Sequence, residues 1–193
     1  MAGRSGASAI YAGRAMVFVS MGNYADAIRD ADKSLSIDKT NETAWRARGL
    51  ANHHAGDLVQ AVLDLNRAIS LSPNDWSLYV YRAQAWYEGG SYADALNDFA
   101  RAIAVAPDND EPYYWRAVYE NMSRDFDASI ADLDRAISLK PNYANAYKAR
   151  SEAWEGKGDA GRAKTDRLRA DQRGLSPRTW LKALPRGLNG PLA

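Results

Sequence analysis

Arginine recurs at Arg14, Arg48, Arg82, Arg116 and Arg150 and aspartate at Asp30, Asp64, Asp98, Asp132 and Asp166, so two five-membered ladders share a period of 34 residues. A period of that length means that one supersecondary unit is copied along the chain. It confines the fold to arrays in which each copy packs chiefly on its neighbours. A charged column carried by every copy also predicts a partner. Recurrence of both signs leads us to expect that arginine and aspartate meet in a bidentate fork, within one copy or across to the next, rather than forming a row of anion-binding guanidinium groups.

Other columns at the same spacing say what each copy is. Asn23, Asp57, Ser91, Asp125 and Asp159 carry side-chain acceptors suited to the free amides at a helix start, and read as N-caps of a second helix. Just before them stand Gly22, Gly56, Gly90 and Gly158, with Arg124 in the fourth copy, where a left-handed residue would end the first helix. Pro73, Pro107 and Pro141 close three copies, because proline cannot continue a helix interior. Thr40, Asn74, Asp108 and Asn142 are the expected caps of the next first helix. Small residues at Ala27, Ala61, Ala95, Ser129 and Ala163, and at Ser34, Ala68, Ala102, Ala136 and Ala170, let two helices approach closely. The unit is helix, tight turn, helix.

The second copy reads Trp45, Gly49, Gly56, Leu58, Ala61, Leu65, Ala68, Pro73; the third reads Tyr79, Ala83, Gly90, Tyr92, Ala95, Phe99, Ala102, Pro107. The fourth gives Tyr113, Ala117, Phe126, Ser129, Leu133, Ala136 and Pro141, and the whole pattern resembles the tetratricopeptide repeat. The resemblance implies an all-α, right-handed superhelical solenoid of stacked antiparallel helix pairs. Its repeats would occupy 8–41, 42–75, 76–109, 110–143 and 144–175, after a flank at 1–7. It also implies that the first helices line a concave groove. The inward positions would then be Arg46, Leu50 and His53; Val80, Gln84 and Tyr87; Tyr114, Val118 and Asn121; and Lys148, Glu152 and Glu155. Aromatic and aliphatic anchors mixed with amide and charged groups suit a peptide segment better than a small metabolite. Family members that grip a C-terminal carboxylate use Lys, Arg and Asn on these helices. Arg46, Asn121 and Lys148 match in type but are too scattered for such a clamp.

A terminal repeat has no successor, so its outward face should turn polar. Three apolar columns end at Lys164, Asp171 and Arg173, which marks the fifth repeat as the C-terminal one. Ser176 and Pro177 then suit the start of a capping helix at 176–184 carrying Trp180, Leu181 and Leu184, followed by a flexible tail at 185–193. At the other end Ile10 and Val17 fall where later copies face a preceding helix. A terminal helix with solvated apolar residues, a weak homodimer contact, and a cut from a longer solenoid are all open readings.

Composition closes most routes to chemistry. Net charge is +1, which excludes whole-chain attraction to nucleic acid or membrane, and the absence of cysteine removes disulfides, thiolate metal sites and thiol nucleophiles together. The two histidines, His53 and His54, are adjacent and point about 100° apart on a helix, so they do not share a metal easily. No glycine-rich phosphate loop or nucleophile elbow is present. We therefore expect no cofactor, no metal and no catalysis. No leader or membrane span is evident, and a cytoplasmic location is expected. The expected partner is a protein or peptide, with neither membrane nor nucleic acid involved. The alternative reading is an anion-binding accessory protein. Residues 162–186 carry net +6, through Arg162, Lys164, Arg167, Arg169, Arg173, Arg178, Lys182 and Arg186, against −5 for the rest.

Overall fold

Helix boundaries follow the repeated columns. The structure is a computed structural model that describes residues 2–172. Its helices run α1 (Ala2–Ser20), α2 (Tyr24–Ile37), α3 (Glu42–Ala55), α4 (Leu58–Leu71), α5 (Trp76–Glu88), α6 (Tyr92–Val105), α7 (Asp110–Met122), α8 (Phe126–Leu139), α9 (Ala144–Gly156) and α10 (Ala160–Asp171). Among the described residues there is no strand. The segment expected as a flank is already helical from Ala2. The capping helix expected at 176–184 and the tail at 185–193 lie outside the described residues.

Asn23, Asp57, Ser91, Asp125 and Asp159 cap the even-numbered helices. The Asp57, Asp125 and Asp159 carboxylates accept the amides of Gln60, Ala128 and Arg162; such caps contribute about 1 kcal/mol each. Gly22, Gly56, Gly90 and Gly158 take φ from 77° to 90°, and Arg124 stands in the same column at φ 63°. The caps of the odd-numbered helices fall one residue later than expected, at Asn41, Asp75, Asn109 and Tyr143 instead of Thr40, Asn74, Asp108 and Asn142. For three of the four the physical reason is a turn ahead of the helix. The amides of Asn41, Asp75 and Tyr143 donate to the carbonyls of Asp38, Ser72 and Lys140, which draws the preceding residue into the turn.

The chain divides into two units, residues 1–107 with α1 to α6 and residues 108–193 with α7 to α10. In both, each first helix packs on the second helix that follows. In the first unit α3 also packs on α1 and α2, and α5 on α3 and α4. Ala44 meets Ala12 and Leu35, Ala47 meets Ala15 and Ala31, Leu78 meets Leu65 and Ala68, and Ala85 meets Ala61 and Val62. In the second unit α9 packs on α7 and α8, and Ala146 and Ala149 join Ala117, Leu133 and Ala136. Small residues let the backbones close, and fully buried Leu65, Leu78, Phe99 and Leu133 fill the space. Each such side chain contributes about 1.5–3 kcal/mol.

The charged ladders form forks within every repeat. Arg14, Arg48, Arg82, Arg116 and Arg150 each present Nε and Nη2 to the two oxygens of Asp30, Asp64, Asp98, Asp132 and Asp166, at 2.5–3.0 Å. Three of the arginines also reach back one repeat. Their Nη1 atoms donate to Asp32 for Arg48, Asn66 for Arg82 and Asp134 for Arg150. The forks therefore join the two helices of a repeat and, at these three, one repeat to the one before.

Candidate functional site

In the first unit the side-by-side first helices α3 and α5 carry six of the expected groove residues. Arg46 is half-buried and held by charge. It donates to Glu42 one turn back at 2.8 Å and to Asp75, the cap of α5. Those partners hold its guanidinium above the usual arginine range against a desolvation that pulls it down. Leu50 and Val80 are buried rather than open to a ligand. His53 is also buried, and its Nε2 lies 3.1 Å from Glu88 Oε2 on the neighbouring first helix, close to it but outside hydrogen-bond geometry. His54 is exposed at the helix end and stacks on Tyr24, ring centroids 5.1 Å apart. Gln84 and Tyr87 are half-buried, with Tyr87 set edge-on to Tyr92 at 4.8 Å.

In the second unit α7 and α9 supply the other six, of which Glu155 is exposed and pairs with Arg167. Tyr114 is half-buried between Tyr143 and Trp115, at centroid distances of 5.0 and 5.4 Å. Burial, with the nearby Glu152 charge, pushes its hydroxyl up to about 12. Val118 is buried. The Asn121 amide donates to the Ala149 carbonyl at 2.8 Å and ties α7 to α9. Lys148 is half-buried, and desolvation draws its ammonium below the usual lysine range. Glu152 is exposed at the residue level, with a carboxyl raised chiefly by desolvation.

The expected groove positions differ in exposure. Leu50, His53, Val80 and Val118 do not line an open surface. Within the first unit the reason is visible: neighbouring first helices pack side by side, and a middle position faces the next helix, as His53 does. Arg46, Gln84, Tyr87, Tyr114, Asn121, Lys148 and Glu152 keep accessible surface. Residues the sequence did not single out are Asp75, which accepts from Arg46, Glu88, which lies beside His53, and Tyr143, whose ring packs tilted against Tyr114. Column spacing held a signal for Asp75 and Tyr143, since both follow by one residue the positions expected as caps.

The basic C-terminal face is largely self-neutralised where it is described. Arg162 faces Asp159 at 3.3 Å and lies over the Trp154 ring at 4.5 Å, Arg167 pairs with Glu155, and Arg169 stands 3.7 Å from Asp166. Arg173, Arg178, Lys182 and Arg186 fall outside the described residues. Among the described residues no group of three or more histidine or carboxylate side chains is placed to hold a metal, and no helix is long and apolar enough to cross a membrane.

Paired helices, left-handed turns and a small-residue seam at one period define a helical-repeat protein. The tetratricopeptide-repeat pattern matches residues 13–76, 60–112 and 81–145, and the chain belongs to that family, as an all-α solenoid of antiparallel helix pairs. Among solved structures it is similar to MamA, with 23% identity over 89% of this chain and 98% of the other, at a TM-score of 0.69. It is similar to a tetratricopeptide repeat protein from Parabacteroides merdae, with 20% identity over 88% of this chain and 66% of the other, at 0.73. It is also similar to YrrB, a TPR protein with an unusual peptide-binding site, with 16% identity over 90% and 88% of the two chains, at 0.63. At these identities the likeness carries the fold. No curated protein matches the sequence.

Proposed function

We propose that this chain is a non-catalytic protein-interaction scaffold whose first helices hold a segment of a partner protein. The observation that carries the reading is the state of the accessible groups on α7 and α9 of the second unit. Tyr114, Lys148 and Glu152 combine a ring with both charges and are already partly stripped of water. Charged groups and rings in that condition gain from a ligand that covers them, because part of the cost of removing their water has already been met. In the first unit, taken by itself, Gln84 and Tyr87 of α5 offer an amide and a ring with accessible surface. The peptide-binding site of YrrB supports the same use of the fold.

The test is a capture experiment with the whole chain, comparing wild type, a Tyr87→Ala/Tyr114→Ala variant and a Gln84→Glu/Glu152→Lys variant. The second variant leaves the packed residues untouched and controls for loss of folding. Partners held by wild type and lost by both variants are the expected outcome. Partners retained equally by all three place binding on another surface.

A further inference from the structure

A helix with one face in water ordinarily carries charge on that face. Helix α1 does not. Gly6, Ala9, Ile10, Gly13, Val17 and Ser20 lie on one side and are all exposed, Ile10 to 71% and Val17 to 53%. Arg14 stands at the edge, drawn aside to Asp30.

Register identifies this face. One period on, Ile10, Gly13 and Val17 become Ala44, Ala47 and Ala51; two periods on, Leu78, Tyr81 and Ala85. Ala44, Ala47, Leu78 and Ala85 are sealed by the helix pair before them, as the contacts with Leu35, Ala31, Leu65 and Val62 show. The α1 face continues an interface that the first unit uses twice, and in the described structure nothing covers it.

Its relief says what fits there. Ile10 and Val17 protrude, whereas Gly6 and Gly13 are notches where an added Cβ would meet nothing within 4 Å. Set two copies of α1 antiparallel about a two-fold axis passing between Tyr11 and Ala12. Ile10 then faces the partner's Gly13 and Val17 faces the partner's Gly6, and the symmetry repeats both contacts. An isologous dimer requires a patch complementary to itself, and this register supplies two knob-and-notch pairs on each side. We infer that α1 is the surface through which two copies of this chain associate, as an antiparallel helix pair. One helix face buries less than the ~800 Å² per partner of a standard interface, so the dimer is weak and reversible.

Sedimentation equilibrium of the full chain up to millimolar concentration tests this. The mass is expected to rise from one chain toward two. Ile10→Asp should hold the chain monomeric without lowering its melting temperature, because Ile10 is solvated in the monomer. Gly13→Leu separates fit from greasiness. It adds apolar surface and favours the helix, yet fills the notch, and should weaken association by about tenfold or more. A wild-type chain that stays monomeric throughout, a dimer that survives Ile10→Asp, or association unchanged or tightened by Gly13→Leu would each overturn the inference.

Discussion

Arg82 and Asp98 meet as a parallel fork, Nε to Oδ2 at 2.7 Å and Nη2 to Oδ1 at 2.6 Å, while the third nitrogen of the arginine donates to Asn66 in the repeat before. The aspartate side chain is 6% exposed and the arginine 19%. Arg82→Ala would leave that carboxylate buried and unpaired, and the expected loss of stability is about 3–5 kcal/mol. Removing Asp98 as well should recover part of it, since no lone charge then remains. Urea denaturation of the two variants measures both effects. A single-variant loss under about 1 kcal/mol would show the pair to be water-screened.

Glu120 carries a different electrostatic debt. It occupies in the fourth repeat the register position of Asn52 in the second, whose amide donates to the ladder residue Asp64 at 3.0 Å. A carboxylate in that place faces Asp132, Asp125 and the already engaged Arg116, whose Nε is 3.7 Å from Glu120 Oε1, and the other oxygen is buried without a partner. Burial first, then the Asp132 charge, pushes Glu120 up to about 7. The folded chain therefore holds this proton more tightly than the unfolded chain does. The resulting stabilisation is complete below the ordinary glutamate range and is lost as pH rises toward 7. Glu120→Gln should match wild type near pH 4 and exceed it by roughly 1–3 kcal/mol near pH 8. Parallel stability profiles across that range would refute the prediction.

Gly49 is packed to the limit. A Cβ there would sit 2.9 Å from Leu65 Cγ and 3.3 Å from Asp64 Cβ, both fully buried. The fourth repeat carries Ala117 against Leu133 in the same columns, so an alanine there is accommodated where the local packing is built around it. Gly49→Ala must separate α3 from α4, and the strain outweighs the better helix propensity of alanine. A net loss of about 1 kcal/mol is expected in thermal or urea unfolding. A neutral or stabilised variant would mean that the helices can spread freely.

Arg124 holds a left-handed backbone, φ 63°, where four other repeats place glycine. Relief of about 1–2 kcal/mol of local strain is partly offset by the greater freedom that glycine gives the unfolded chain. The Arg124 guanidinium also lies over the Phe126 ring at 5.9 Å, a contact the substitution removes. Arg124→Gly should gain roughly 0.5 kcal/mol, read as a raised melting temperature. A lowered one would assign more to the ring contact than its distance warrants.

The period, the helix pairs, the left-handed turns and the meeting of the arginine and aspartate ladders in forks were legible in the sequence, because each recurs at a fixed spacing; whether a fork closes within a repeat or across to the next was left open, and the structure closes all five within a repeat. Even the exception at Arg124 was visible in its column. The odd-helix caps slipped by one residue because two cap-type residues stand together and only turn hydrogen bonds choose between them. The depth of the expected groove positions was not legible in the sequence. Helical spacing correctly put Leu50, His53, Val80 and Val118 on one side of their helices, but spacing carries no information about what lies across from that side. Sequence alone determined the repeating unit and which residues share a face, since both are local consequences of 3.6 residues per turn. Tertiary structure decided which of those faces remain accessible, where His53 and Arg46 find their carboxylates, and how Glu120 is deprived of water, because burial is set by helices brought together from distant parts of the chain.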